Sequence, residues 1–320
     1  MAVVSADGRL IGSVGDPTAV TYLRSAAKPF QLAPFVASGR FDEFDLGDEE
    51  LALMAASHSG EDRHVRTVQT ILRIGGLSRS VLQCGVHPPF DVETAQRLVR
   101  DGEPPTELRN NCSGKHAGMA LFAKASGWDV DTYWQPDHPV QRLALETVAA
   151  LSDTPVDQVQ TATDGCGVLA FAIPLHGLAL AYARLADPSG LTDAPLRSAL
   201  ARIRDVMRAH PELIGGERRA FDTALMRALA GRVVAKGGAE GVRAVAVLAG
   251  GLGIAVKIED GDGAHRAGAA VVCETLRQLG VAGERELTEL APYAAPSVWD
   301  LGRREVVGQI RAAFRLAEVR

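Results

Sequence analysis

Six short stretches of the sequence are rich in serine, lysine, histidine, cysteine or acidic residues, and five of the six also contain glycine. Side chains of these types can act as nucleophiles, bases or metal ligands, and their density in loops is typical of a functional site. In chain order the six stretches are RSAAKP (24–29), ASHSGED (56–62), CGVHPP (84–89), NNCSGKHAG (110–118), TDGCG (163–167) and AKGGAEG (235–241).

The first stretch contains a serine and a lysine three positions apart, Ser25 and Lys28. At a helix start this spacing puts both side chains on one face. A serine hydroxyl becomes a nucleophile beside a base, and a lysine is a base only if burial or another cation lowers its pKa. Lys236 is the candidate for that cation, and Gly237 and Gly238 after it would let a substrate approach the backbone. The structural alternative is a capping serine and a solvated lysine.

Ser57 lies in the second stretch, where an apolar predicted helix ends. One interpretation is a helix C-cap in which Gly60 adopts a left-handed conformation. The other is a second hydroxyl in a cleft, which relays protons between the lysines and a leaving group. His58 is too close in sequence to Ser57 and Ser59 to serve either of them as a base.

Two stretches bring cysteine close to other reactive side chains. Cys112, Lys115 and His116 lie within one stretch, and a later stretch adds Asp164 and Cys166. Their spacing differs from the standard zinc motifs. Three interpretations stay open: buried thiols beside turn residues, a metal site, and a cysteine nucleophile with a histidine base.

Composition restricts the class of protein. The chain has 320 residues, 47% hydrophobic and 23% charged, with a net charge of −5 at pH 7. These values predict a globular protein and give no electrostatic basis for binding nucleic acid or an anionic membrane. Four cysteines in this length are not a disulfide framework, and residues 1–12 lack the pattern of a signal peptide. The longest apolar run, 168–183, is too short to span a membrane, so we predict a cytoplasmic location.

The type of secondary structure predicted around these stretches changes along the chain, from strands to helices and back to strands. The pattern of residues 2–17 predicts a hairpin around an Asp-Gly turn. Residues 25–230 show mostly helical periodicity. Residues 242–263 are rich in Val and Ile and predict two or three strands. A further helix is predicted over 263–280, and residues 305–316 fit a strand, a helix, or one running into the other.

The sequence therefore predicts an α/β protein in an α+β arrangement. N- and C-terminal strands would share one antiparallel sheet flanked by helices, with a large helical region between them. We predict one catalytic unit over 1–320, in which 1–24 and 231–320 form a sheet lobe and 25–230 a mostly helical lobe. The helices predicted in that lobe include 30–39, 48–60, 64–76, 92–102, 114–127, 138–153 and 196–211.

Together the motifs resemble the bacterial asparaginase family of the thermolabile, Rhizobium type. The matching stretches keep their order between residues 24 and 241. They are RSAAKPFQ, ASHSGE, CGVHPP, NNCSGKHAGM, DHPVQR, TDGCGV, the pair GG-x-R and FDT (215–223), and AKGGAEG. The resemblance implies a fold like that of serine β-lactamases and penicillin-binding proteins, which also carry a Ser-x-x-Lys motif.

The resemblance also implies roles for individual residues. The catalytic residues fall on two serine–lysine pairs, Ser25 with Lys28 and Ser57 with Lys236. The residues that hold the substrate fall on Arg24, His116 and Asp164, with Gly237 beside them. The ligands of a zinc ion fall on Cys112, Lys115 and Cys166, and no organic cofactor is implied.

The implied reaction is hydrolysis of the side-chain amide of L-asparagine to L-aspartate and ammonia through an acyl-enzyme. Ser25 would attack, and its N–H with a strand N–H near Gly237 and Gly238 would form the oxyanion hole. Arg24 would bind the substrate α-carboxylate and Asp164 its α-ammonium. The resemblance further implies a homodimer. Two alternatives stay open: a β-lactamase-like or peptidase-like acyl-transfer enzyme, and a zinc-binding protein with a degenerate site.

Overall fold

The computed structural model describes residues 1–218, 220–263 and 266–318. Its largest sheet has six antiparallel strands and is built from both ends of the chain. This arrangement confirms the predicted fold class. Across the sheet the strands follow the order β11 (Ala317–Glu318), β2 (Leu10–Ser13), β1 (Ala2–Ser5), β8 (Leu252–Lys257), β7 (Val242–Val247) and β6 (Val233–Gly237).

A smaller sheet of three antiparallel strands lies beside the first helical turn of the chain. Its order is β3 (Val20–Tyr22), β5 (Leu169–Pro174) and β4 (Gln160–Thr163). Periodicity did not indicate β4 and β5, which interrupt the region predicted to be mostly helical. Five of the six residues of β5 are buried, so this strand has no alternation of polar and apolar residues.

Helices cover the described part of the chain between and after these strands. In chain order they are α1 (Lys28–Ala37), α2 (Asp48–Met54), α3 (Asp62–Ile74), α4 (Val92–Asp101), α5 (Ser113–Ala125), α6 (Pro139–Ser152), α7 (Leu175–Ala186), α8 (Ala194–Ala209), α9 (Pro211–Ile214), α10 (Phe221–Ala228), α11 (Gly268–Gln278), α12 (Glu284–Glu289) and α13 (Ala291–Ala294).

The six-stranded sheet is covered on both faces. Helix α7 packs against β1, β7 and β8, and α11 packs against β7 and β8. Strands covered in this way are apolar along their whole length, which explains the continuous Val and Ile pattern of β7 and β8. Helix α1 in turn packs against α6 and α8, so the core continues from the sheet into the helical region.

Most of the predicted helices are present, with two informative differences. The helix predicted over 48–60 ends at Met54, and the ASHSG segment is a loop. The helix predicted over 263–280 is observed as α11, while Ala264 and His265 lie outside the described residues.

Residues 297–309 form a separate antiparallel hairpin, which we call the arm. It consists of β9 (Ser297–Asp300) and β10 (Glu305–Gln309). The stretch 305–316, left open between strand and helix, is thus a strand followed by irregular chain. Large apolar side chains are exposed on the arm: Val298, Trp299, Leu301, Val306 and Val307.

Among the described residues, no helix combines the length and the apolar character needed to cross a membrane. The cytoplasmic location and the division into two lobes stay predictions.

Candidate active site

Ser25 lies in a single 3-10 turn, Arg24–Ala27, between β3 and α1. Pro29 stands in the first turn of α1, where its missing N–H costs no hydrogen bond. The Tyr182 hydroxyl, buried on α7, donates to the Ala26 carbonyl at 2.8 Å and ties this turn to the core. Ser25 is half-buried, and its hydroxyl makes no hydrogen bond to any described residue.

Lys28 is fully buried, and its ammonium nitrogen reaches the second serine. Nζ donates to Ser57 Oγ at 2.8 Å and to the Ala56 carbonyl at 2.6 Å. Burial lowers the pKa of Lys28, and the charge of Lys115 lowers it further while Cys112 opposes the shift. The sequence paired Lys28 with Ser25, whereas the hydrogen-bonded hydroxyl in this structure is that of Ser57.

The loop that carries Ser57 is held against the start of α5. The N–H of His58 donates to the Asn111 carbonyl at 3.2 Å, and the same carbonyl lies 3.4 Å from Lys28 Nζ. Helix α5 can approach α2 closely because Gly114 lacks a side chain: a Cβ there would lie 2.4 Å from the Leu53 carbonyl oxygen. The NNCSGKHAG and ASHSGED stretches therefore meet around Lys28.

The CGVHPP stretch supports this arrangement from outside. His87 Nε2 lies 3.1 Å from Asn111 Oδ1 and accepts the Asn111 N–H at 3.2 Å. The Asn110 side-chain amide donates to the Cys84 carbonyl at 2.8 Å. Through these contacts the CGVHPP stretch stabilises the loop that precedes α5, so its role in this structure is to support the site.

Lys236, on β6, is also fully buried, and its Nζ donates to the Gly237 carbonyl at 2.7 Å. Burial lowers the pKa of Lys236 to about 7, with Asp222 opposing the shift and Lys28 adding to it. The cation that lowers the pKa of Lys28 in this structure is Lys115, while Lys28 itself contributes to the lowered pKa of Lys236. A lysine with this pKa is partly neutral at neutral pH and can accept a proton.

The predicted oxyanion hole needs a revision on the strand side. The Gly237 N–H donates to Asp222 Oδ2 at 2.7 Å, and the Gly238 N–H donates to the Val242 carbonyl at 2.9 Å. Neither N–H is available to a substrate oxygen in this structure. The N–H of Ser25, by contrast, has no acceptor among the described residues.

Arg24 precedes Ser25 and joins two acidic side chains from distant parts of the chain. Its Nε and Nη2 donate to Asp164 Oδ1 at 3.1 and 2.9 Å, and its Nη1 donates to Glu240 Oε1 at 2.6 Å. Burial opposes the charge of Asp164, but Lys115 and Arg24 outweigh it and lower the pKa of this carboxyl. The two residues predicted to bind the substrate head group are therefore neighbours.

The thiols of Cys112 and Cys166 meet at the start of α5, although the two residues belong to different sequence stretches. Lys115 Nζ donates to Cys166 Sγ at 3.0 Å. A hydrogen bond from Cys166 and the nearby lysines hold the pKa of Cys112 well below its usual range despite burial. Burial disfavours the charge on Lys115, but the two sulfur atoms outweigh it and raise the pKa of Lys115.

His116 is fully buried next to this cluster. Its Nδ1 lies 2.6 Å from the Tyr133 hydroxyl, and its Nε2 is buried without a hydrogen-bond partner among the described residues. Burial lowers the pKa of His116 to about 4, so the ring is neutral at neutral pH. Cys166 lies close enough to the ring to oppose this shift in part.

Within residues 1–218, 220–263 and 266–318, no group of three or more His, Cys, Asp or Glu side chains is placed to hold a metal ion. The candidate set from the sequence uses lysine as its third donor. Cys112, Lys115 and Cys166 are brought together, as the resemblance implied, by contacts that exist without a metal.

Sequence reasoning assigned no role to three residues that contact the site, namely Asn111, Asp222 and Glu240. All three stand in motifs already quoted for the resemblance. The motifs therefore indicate that these three residues lie near the site. The side chains and backbone groups that they contact are known only from the fold.

Nearly the whole chain matches a known protein family. A family model described as L-asparaginase II matches residues 1–312. A search of curated proteins finds no match. The matched range includes all residues of the candidate site.

Proposed function

The chain belongs to the L-asparaginase II family and is an L-asparagine amidohydrolase, and we propose that it acts through an acyl-enzyme formed on Ser25. The observation that carries this proposal is the fully buried Lys28, whose backbone N–H closes the 3-10 turn onto the Ser25 carbonyl, together with a Ser25 hydroxyl that has no hydrogen-bond partner among the described residues. Across a 3-10 turn, side chains three positions apart lie above one another, so Lys28 is within reach of Ser25. Burial favours the neutral amine that a base must be.

The proposed reaction uses both serine–lysine pairs. Lys28 takes the proton of Ser25 as Oγ attacks the side-chain amide carbon of asparagine. Ser57, hydrogen-bonded to Lys28, and Lys236 pass a proton to the leaving nitrogen, which departs as ammonia. Water then hydrolyses the ester on Ser25 and releases aspartate.

The substrate head group is proposed to lie over the Arg24–Asp164 pair. Arg24 would bind the α-carboxylate and Asp164 the α-ammonium, while the unpaired Nε2 of His116 offers a further polar contact. The free N–H of Ser25 would donate one hydrogen bond to the oxyanion. A second donor would have to come from a residue other than Gly237 and Gly238, because the N–H groups of these two are already hydrogen-bonded.

This mechanism is tested by ammonia release from L-asparagine. We expect Ser25→Ala to lower kcat by roughly a thousandfold or more, as loss of a nucleophile does. Ser80→Ala, which removes a hydroxyl from an exposed position, is the matched control and keeps wild-type turnover. An unchanged rate in Ser25→Ala would exclude Ser25 as the nucleophile.

We also propose that Cys112, Lys115 and Cys166 hold a zinc ion. The residues fit such an ion, since two thiols and an amine already lie in contact and sulfur and nitrogen are the donors zinc prefers. Bound zinc would supply a fixed positive charge near the substrate site. For binding, Lys115 must lose its proton, so zinc affinity would fall at low pH.

Finally, we propose that the protein is a homodimer in which the arm contacts the second copy. The arm exposes Trp299 at 55% and Leu301 at 90%, and an isolated two-stranded hairpin is marginally stable in water. The sequence around β10 is self-complementary: pairing two copies antiparallel about Gly308 sets Glu305 opposite Arg311. Such a two-fold contact is the commonest interface of homo-oligomers.

A further inference from the structure

Glu240 contacts the residue that is proposed to bind the substrate carboxylate. It lies at the tip of the turn between β6 and β7, where its side chain is 61% exposed. Its Oε1 accepts a hydrogen bond from Arg24 Nη1 at 2.6 Å. No part of the mechanism described above uses Glu240.

The hydrogen bonds of Arg24 divide its guanidinium into two sides. Nε and Nη2 both donate to one oxygen of Asp164, whose side chain is only 16% exposed. Nη1 donates to Glu240. A substrate carboxylate that approaches Arg24 on the Nη1 side meets Glu240 there, so one carboxylate has to replace the other.

Of the two acidic partners, Glu240 is the one that can leave. An ion pair in contact with solvent contributes little stability, because water competes for both charges. Asp164 is held more firmly, since it makes two hydrogen bonds to Arg24 and accepts its own loop's Gly165 N–H at 2.6 Å.

The backbone of the turn keeps the Glu240 carboxylate near the site after it leaves Arg24. Glu240 has a left-handed backbone, with φ of +60°. The Lys257 ammonium donates to its carbonyl oxygen and fixes the turn from the neighbouring strand. The exchange therefore needs only side-chain rotation.

We propose that Glu240 is a specificity residue that selects zwitterionic α-amino acid amides. In the free enzyme it holds Arg24 Nη1; the substrate α-carboxylate displaces it, and its carboxylate then turns to the substrate α-ammonium. A ligand with an α-carboxylate but no ammonium would displace Glu240 without offering it a partner. This inference rests on the proposed function, in which Arg24 receives the α-carboxylate.

The test compares L-asparagine with succinamate, which is asparagine without its α-amino group. Ammonia release from both is measured for wild type, Glu240→Gln and Glu240→Asp. The matched control is Glu259→Gln, which removes the same charge from an exposed position after β8. Thermal unfolding of each variant is followed in parallel, so that loss of fold is recognised.

We expect Glu240→Gln to lower kcat/KM for asparagine by roughly threefold to fivefold, through KM, the scale of one partly exposed charged contact. For succinamate kcat/KM stays equal or rises, so the ratio between the two substrates falls. Glu240→Asp restores part of the ratio, and Glu259→Gln keeps that of wild type. An unchanged ratio in a folded Glu240→Gln, or an equal loss for both substrates, would overturn the inference.

The outcomes for Glu240 and for the proposed function are separate. The ratio of kcat/KM for asparagine to kcat/KM for succinamate compares variants that all retain Ser25. It therefore reports the effect of Glu240 on selectivity whichever serine is the nucleophile. If Ser25→Ala stays active, the nucleophile assignment fails while the ratio still decides the role of Glu240. If Ser25→Ala is inactive and the ratio is unchanged, only the inference on Glu240 fails.

Discussion

At the scale of single residues, the two serines of the site have different environments. Ser57 Oγ accepts a hydrogen bond from Lys28, while Ser25 Oγ has no partner among the described residues. An engaged hydroxyl suits a proton relay, and an unengaged one can turn towards a substrate carbon. This difference is the structural basis of the proposal that Ser25 attacks the substrate and Ser57 relays a proton.

Lys236 makes stability depend on pH. Burial lowers its pKa to about 7, whereas a lysine in the unfolded chain titrates near ~10.4. Between these values unfolding takes up a proton, so the Lys236 contribution makes the free energy of unfolding rise as the pH rises through this window. We expect wild type to gain roughly 2 kcal/mol more than Lys236→Met between pH 7.5 and pH 9.5, at about 1.4 kcal/mol per pH unit.

Urea unfolding at the two pH values measures this difference. Lys124→Met is the control, because Lys124 is an exposed lysine on α5 and its removal leaves the buried charge in place. If Lys236→Met shows the same pH dependence as wild type, Lys236 is charged in the folded protein throughout this range.

The residue types of the site could be predicted from the sequence, but not all of their partners. The resemblance fixed Arg24 and Asp164 as neighbours of the substrate, and the structure places them in contact. That Glu240 shares Arg24 could not be predicted, because 216 positions separate the two and only the β6–β7 turn brings them together. The engaged N–H groups of Gly237 and Gly238 likewise depend on strand pairing.

At the scale of elements, helix positions followed from apolar periodicity, while several short strands did not. Strand β4 is exposed at all four positions, and β5 is apolar throughout. Neither strand has the alternation of polar and apolar residues by which strands are recognised. Strand β5 is apolar throughout because it lies between two strands and is covered by helices. The end of α2 at Met54 also escaped prediction, since the following apolar Ala55 and Ala56 continue the helical pattern.

The zinc proposal belongs to this scale, because the ion would join α5 to the loop between β4 and β5. We expect the purified protein to contain zinc in stoichiometric amount by elemental analysis. Cys112→Ser and Cys166→Ser should each lose most of it and unfold at lower temperature, since a metal that binds only the folded state stabilises it.

Cys273→Ser is the matched control, because Cys273 is buried on α11 away from the cluster. It should retain zinc. Equal zinc content in all three cysteine variants would show that the metal, if present, is bound elsewhere.

At the scale of the whole molecule, strands from both ends of the chain share one sheet, and the site combines residues from near the start, the middle and the last third of the chain. Strand β1 comes from the start of the chain and β6 and β8 from its last third, and β6 delivers Lys236 to the turn that carries Ser25. This closure was predictable from the strand patterns at the two ends. The likeness to serine β-lactamases stays a prediction.

The dimer proposal makes a charge-reversal prediction at this scale. We expect wild type to be a dimer by light scattering after size exclusion. Glu305→Arg should weaken the dimer, because it sets like charges opposite each other at two symmetric places, and adding Arg311→Glu should restore it.

Val99→Asp is the control, since Val99 is an exposed apolar side chain of α4, outside the arm, and its replacement should not change the mass. A monomeric wild type, or a double variant no better than Glu305→Arg, would contradict an interface formed by β10.

The central claim is that Ser25, and not Ser57, carries the acyl group. The most direct measurement is acid quenching of the enzyme during turnover of L-asparagine, followed by peptide mapping by mass spectrometry. The mechanism predicts an aspartyl adduct on the peptide that contains Ser25 and none on the peptide that contains Ser57. An adduct on Ser57, or on any residue other than Ser25, would contradict it.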